Sequence, residues 1–437
     1  MNQFLQQLRV SIFGESHGEM VGVTIDGLPA GLPLQAADLL PDLERRKGGQ
    51  QKGTTPRQED DYPLFKTGWL HGRTTGAPLT ILFENKNTRS ADYAKQRSVP
   101  RPGHADFVAN RKYGGFEDYR GGGHFSGRLT VALVAAGAIA KKLMPAVSVQ
   151  ATITEVAGLP DVEVGLQKAI EQKDSVGGIV ECQATGLPIG LGEPFWDSVE
   201  SLLSHAVFAI PAVRGIEFGT GFAAARMFGV QHNDALENLD GTTTTNHAGG
   251  VVGGITNGNP LVFRIAIKPT SSTPKEQFTL NWETGQQETF SVKGRHDLCI
   301  ALRVPPVLEA VTALVLADLM MREGHIPRVW RQPIYHIATK EAWQQALINE
   351  SYTHPSLEAE GFIHLSDAHQ LRGVVERYYP QTSGLLLLTI NPDKLLAPLR
   401  YEYAESVGEK FPHLYGVLNT TAVEHVEELA TSQVLTQ

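Results

Sequence analysis

An α+β fold is what this sequence predicts, on three observations. Short runs rich in Val and Ile and bounded by Gly or Pro read as strands at 21–25, 79–84, 149–156, 178–184 and 261–267. Capped, helix-like segments stand among them without the regular strand-helix alternation of a parallel sheet. The composition is that of a cored protein, with 41% hydrophobic and 19% charged residues over 437 positions, a length that suits two or three domains.

The helical segments mark their own ends. Residues 36–46 run into Arg45 and Arg46, cations suited to a last turn. From Ser126 to Lys142 apolar residues cover nearly every face, Lys141 and Lys142 close the segment and Pro145 follows, which predicts a deeply buried helix. Pro305-Pro306 opens a third helix, proline being preorganised for a first turn, and Gly324 stops it. Beyond Gly324 the periodicity is lost. From Pro333 onward the chain carries six Lys and Arg against thirteen Asp and Glu, compared with 32 against 34 before it. Two domains are expected, 1–326 and a small α+β domain over 333–437.

Several function classes are excluded at this level. A net charge of −9 and pI near 5.9 do not suit non-specific nucleic-acid binding, which draws on clustered positive charge. No apolar run is long enough to predict a membrane span, and the first residues lack the pattern of a secretory signal. Cys182 and Cys299 are too few for a disulfide framework or a thiolate zinc site, so we expect a reducing, cytoplasmic setting with both thiols inert.

The chemistry concentrates in six short segments that combine Gly, His, Arg and hydroxyl residues: GESHG (14–18), RPGHAD (101–106), YRGGGHFSGR (119–128), NHAGG (246–250), KPTSS (268–272) and GRHD (294–297). With Arg45, Arg46 and Lys52 they supply forked and point cations suited to carboxylates and phosphates, so an anionic small-molecule site is expected. Arg57 and Arg120 are read as solvated surface charges. Metal ligation is not expected. No His-x-x-x-His, Cys-x-x-Cys or facial-triad spacing occurs, and the neighbouring arginines would repel a cation. No Walker loop or G-x-G-x-x-G is present either.

These segments, in this order and with this approximate spacing, resemble the chorismate synthase family over roughly residues 1–326, together with DLERR at 42–46. The resemblance implies a β-α-β sandwich protomer, a homotetramer, and 1,4-elimination of phosphate from 5-enolpyruvylshikimate 3-phosphate to give chorismate in the presence of reduced FMN. It implies His17 as the acid that protonates the leaving phosphate, His104 as the group that protonates the reduced flavin, and Asp297 beside the flavin. It implies Arg45, Arg46, Arg101, Arg128 and Arg295 as substrate-holding groups. Flavin contacts are implied for Ser126, Ala212, Gly253, Lys268, Pro269, Thr270, Ser271, Ser272 and Arg295, and NADP contacts for Arg46 and Lys52, with NADPH as a reductant. Two departures stand out: His124-Phe125 where Arg-Ser is common, and Gly48 and Lys52 where Pro and Arg are common.

Residues 333–437 fall outside that pattern. They resemble a small bacterial family of unknown function with distant likeness to the ADP-ribosyltransferase fold, which implies His336, His364 and Glu402 as its candidate residues.

Overall fold

Two almost wholly apolar helices organise the first of two units. The computed structural model describes residues 3–49, 52–55, 59–88, 97–292, 296–380, 382–405 and 407–429. By internal packing the chain divides into Met1–Val329 and Trp330–Gln437.

In the first unit the elements follow the order β1 (Gln3–Phe4), β2 (Arg9–Gly14), β3 (Met20–Asp26), α1 (Ala36–Arg46), β4 (Leu64–Thr67), β5 (Leu79–Glu84), α2 (Asp106–Tyr113), α3 (Thr130–Leu143), β6 (Ser148–Val156), α4 (Val162–Gln172), β7 (Gly178–Thr185), α5 (Val199–Val207), β8 (Val213–Phe218), β9 (Leu261–Ile267) and α6 (Pro305–Arg322). Two antiparallel sheets form, ordered β1-β2-β3-β5-β4 and β8-β9-β7-β6. Helix α3 packs on the first sheet, α6 on the second, and the two helices pack on each other, giving a β-α-β sandwich. Along β3 and β5 the period-two pattern pairs Val21 with Phe83, Val23 with Ile81 and Ile25 with Leu79, all buried. Each such side chain contributes roughly 1.5–3 kcal/mol of transfer free energy.

The central helices approach closely because Gly137 offers no side chain: a β-carbon there would lie 2.3 Å from Ala310 Cα. Buried polar groups on α6 are satisfied by long-range partners. Asp318 Oδ1 accepts the Gln6, Gln7 and Leu8 amides at 3.1, 2.7 and 2.8 Å, pinning the N-terminal segment to the helix. The helix expected from Ser126 begins as an α-helix only at Thr130. Ser126 is extended, and its hydroxyl caps a 3₁₀ turn over Gly127–Leu129 that delivers Arg128 to the helix entrance.

The second unit contains β10 (Ile334–Thr339), α7 (Lys340–Asn349), α8 (Pro355–Glu360), α9 (Leu371–Tyr378), β11 (Leu385–Ile390), β12 (Leu399–Ala404), β13 (Glu409–Leu414) and β14 (Val423–Glu428). Its core joins Ile334, Leu388, Ile390, Leu414 and Leu418 with the ring of Trp343. His336 is buried on β10, donating from Nδ1 to the His364 carbonyl (2.8 Å) and accepting the Tyr352 hydroxyl at Nε2 (2.9 Å). Burial pushes this imidazole down to about 4 from 6.5. The unfolded chain therefore binds a proton that the folded unit refuses as pH falls from 6.5 to about 4, and stability drops across that window by roughly 3 kcal/mol. Far-UV circular dichroism melts at pH 7 and pH 4 should show this loss, and His336→Gln should flatten it.

Candidate active site

Backbone hydrogen bonding brings two distant glycine-rich loops together. Between β2 and β3 the Ser16 amide donates to Gly123 O (3.0 Å), and His124 Nδ1 donates to Gly14 O (2.9 Å). His124 thus closes the loop that carries His17. Gly121 and Gly122 both adopt the left-handed backbone region that glycine alone enters freely. A β-carbon on Gly121 would stand 2.3 Å from His17 Nδ1, and one on Gly122 would stand 3.2 Å from His104 Cε1. Adjacent glycines therefore abut two histidines far apart in sequence.

His104 is oriented by its neighbours. Nδ1 lies 2.6 Å from Asp106 Oδ1, so it carries the proton and leaves Nε2 as the exchangeable position. Burial lowers this imidazole below 6.5, the Asp106 hydrogen bond opposes that shift, and Arg101 adds to it. Arg101 itself grips Asp106 through Nε and Nη2, each at 2.8 Å, and turns Nη1 to Ser272 Oγ at 3.3 Å. The 268–272 segment is tied to the same loop, since Lys268 Nζ and Ser271 Oγ both donate to Gly103 O, at 2.9 and 2.8 Å.

A buried cationic cluster forms next to these loops. Asp61 accepts Arg46 Nη2 at 2.8 Å and also Arg128 Nη1, so one carboxylate serves two guanidinium groups. Burial would raise the Asp61 carboxyl, but the two arginines outweigh it and hold it below its usual range. Burial pushes Arg46 down to about 10, with Arg303 and Arg128 adding to the shift against Asp61, so it stays protonated near neutrality. The trio keeps one net positive charge out of water, an arrangement that an incoming anion would relieve. Asp297 accepts the Thr55 amide (2.8 Å) and Arg303 Nη1 (3.2 Å), which fixes both its oxygens.

Two open recesses, of about 1100 and 1460 Å³, share the wall formed by Arg101, Gly121, Ser126 and Thr270. Arg46, Arg128, Asp297 and Arg303 line the first. His104, His124, Ala212, Lys268 and Ser271 line the second. Together they offer a cationic recess beside a larger slot whose wall carries His104 and His124. A family profile described as "Chorismate synthase" matches residues 8–321. A chorismate synthase of Chitinophaga pinensis is 70% identical over 332 residues, covering 76% of this chain and all of that protein.

The chain belongs to the chorismate synthase family. A chorismate synthase of Dehalococcoides mccartyi is 43% identical over 362 residues, covering 76% of this chain and all of that protein. The crystal structure of a chorismate synthase superposes with a TM-score of 0.55 at 25% identity, covering 73% of this chain and 93% of that one. The activity is that of a chorismate synthase, a lyase of aromatic amino acid biosynthesis that eliminates phosphate from 5-enolpyruvylshikimate 3-phosphate. Residues 337–426 match a separate profile described as "Protein of unknown function (DUF952)".

Several anticipated site residues stand elsewhere. Arg45 is turned away from the recess: Nη1 and Nη2 bind the two oxygens of Glu309, each at 2.7 Å, and Nη1 also reaches Asp42. Consecutive helical residues point about 100° apart, so α1 can send Arg46 inward and Arg45 toward α6. Arg45→Ala should therefore lower stability by about 1–3 kcal/mol in chemical denaturation, because the buried Glu309 loses a bidentate partner. The KM for substrate should stay unchanged.

Lys52 is exposed and donates to Gln167 of α4 (3.2 Å), whereas Arg46 is buried and lines the first recess. Gly253 sits at the exposed tip of the Val251–Thr256 hairpin, outside both recesses. His17 is buried behind Gly121 and is not part of either wall. Arg295 and Arg57 lie outside the described residues. Arg120 is half-exposed and paired with Asp118. In the second unit His336 and His364 line one cavity, whereas Glu402 does not; it holds His413 and Tyr415 instead.

Sequence reasoning missed Asp61 and Arg303. Asp61 closes the acidic run Glu59-Asp60-Asp61, which reads as solvated charge. Arg303 follows Asp297 by six positions, just before the proline pair that starts α6; that adjacency to a recognised motif was the available signal.

Proposed function

We propose that the first recess holds the substrate's phosphate and carboxylates on Arg46, Arg101, Arg128 and Arg303, with reduced FMN in the adjoining slot. The supporting observation is that the wall the recesses share carries Arg101 and Gly121, with His17 packed directly behind Gly121 and His104 lining the second recess beside it. The flavin fits the groups present. Thr270 Oγ1 and Arg46 Nε are buried without a protein partner and both residues line the recesses. Ser126, Ala212, Lys268 and Ser271 add hydroxyls, a carbonyl and an ammonium to the slot. Reduced flavin supplies transient electron density to the elimination. The chain's own residues do the rest: the arginines bind and orient, Asp297 is held beside them as a proton acceptor, and His104 exchanges a proton at Nε2. His17 protonates the departing phosphate after a small shift past Gly121.

Self-association as a homotetramer is part of this reading. Its support is the set of large apolar side chains left open on the synthase unit, Trp196, Phe222, Phe228, Val230 and Leu239 among them. A cytoplasmic setting suits the two free, buried cysteines. Among the described residues no helix is long and apolar enough to cross a membrane. The test is an anaerobic assay with dithionite-reduced FMN: chorismate and phosphate should form in equal amounts, and His104→Ala should lower turnover about 100-fold. Undiminished turnover in that variant, or full activity without flavin, would refute the assignment.

A further inference from the structure

The C-terminal unit contains a cavity lined by its own residues, none of which belongs to the candidate active site. It is open to solvent, spans about 1500 Å³ with its mouth included, and is walled by aromatic and apolar side chains, with His336, His354, His364 and His413 around it. Such a wall, apolar with a few convergent polar groups, is the usual build of a small-molecule site. Phe362 stacks face to face on His413 (4.0 Å between centroids, 14°), and His364 stands edge-on to both, at 4.8 and 5.1 Å. These three rings form a preassembled aromatic corner.

Hydrogen bonds fix which ring nitrogens remain for a ligand. His354 caps α8 by accepting the Ser356 amide at Nδ1 (3.2 Å), which leaves Nε2–H as a donor. His364 donates from Nε2 to Glu360 (3.1 Å), leaving Nδ1 as an acceptor. His413 donates from Nδ1 to Glu402 (2.8 Å), leaving Nε2 as a second acceptor. Among the described residues no group of His, Cys, Asp or Glu is arranged to hold a metal ion, so these imidazoles are read as hydrogen-bonding groups. One cation lines the cavity, Arg377 near the end of α9. It is exposed, and among the described residues no carboxylate pairs with it. A forked guanidinium left open beside a ring-lined cavity is suited to a carboxylate or phosphate.

We propose that this cavity binds a planar, unsaturated ring compound bearing an oxyanion, its ring against Phe362 and the imidazoles and its carboxylate or phosphate on Arg377. Two sources supply that chemistry: the ring carboxylate made by the same chain, and a nucleotide. Calorimetric titration of the full chain with chorismate and with AMP distinguishes them. One of the two should bind in a manner that Arg377→Glu weakens about 10- to 100-fold, while chorismate formation proceeds at the unaltered rate. Arg377 is exposed, so the variant keeps its fold. An Arg377-dependent response to chorismate names the product as the source, and one to AMP names a nucleotide; heat that persists in the variant belongs to the synthase recess. The proposal is overturned if neither ligand gives an Arg377-dependent response, or if AMP is the one that binds and uncharged adenosine binds as tightly.

Discussion

Gly121→Ala should lower turnover about 100-fold or more while the protein remains folded. The new β-carbon would stand 2.3 Å from His17 Nδ1, far inside contact distance, on backbone in the left-handed region that costs an L-residue roughly 1–2 kcal/mol. The imidazole must move or the loop must open. Neither can be absorbed cheaply, because the Ser16 and His124 hydrogen bonds anchor the two loops on either side of the contact. If displacement of His17 is the cause, Gly121→Ala placed in a His17→Ala background should cost little more, since residues acting as a unit are strongly non-additive. Independent losses that multiply, with kcat measured for all four proteins, would show that Gly121 acts otherwise. Near-normal turnover in His17→Ala would remove that histidine from the chemistry altogether.

Asp61→Ala has the largest expected effect on stability, about 3–5 kcal/mol, because it strands Arg46 and Arg128 as two like charges out of water. Urea denaturation of the variant should show the loss, and much of it should appear as poor recovery of folded protein. Inorganic phosphate provides a second readout. An anion compensates the unpaired guanidinium groups, so added phosphate should raise the melting temperature of Asp61→Ala by more than it raises the parent's. Equal shifts in the two proteins would mean that the recess does not take anions at this cluster.

Both predictions rest on residues that sequence reasoning ranked unevenly. Gly121 stood inside a recognised motif, but the motif does not say which side chain it abuts. Asp61 belonged to no motif, and its importance comes from neighbours 15 and 67 positions away that only the fold brings near. Arg45 shows the opposite error. Motif membership put it beside Arg46 at the substrate, but motif membership carries no rotational phase. Once α1 is docked on α3 and α6, neighbouring arginines serve different partners.

Strand and helix periods, caps and proline positions were legible along the chain because they are local, and they located the buried helices and five strands of the two sheets. Residue type and order were enough to mark the chain as a phosphate-eliminating synthase with a second, differently charged module attached. Packing decided the rest. Which arginine faces the recess, which carboxylate neutralises the cationic pair, which glycine meets which histidine and where four imidazoles enclose a cavity all depend on contacts across tens to hundreds of residues. Those contacts are set when apolar faces are buried together, and no spacing within the chain encodes them.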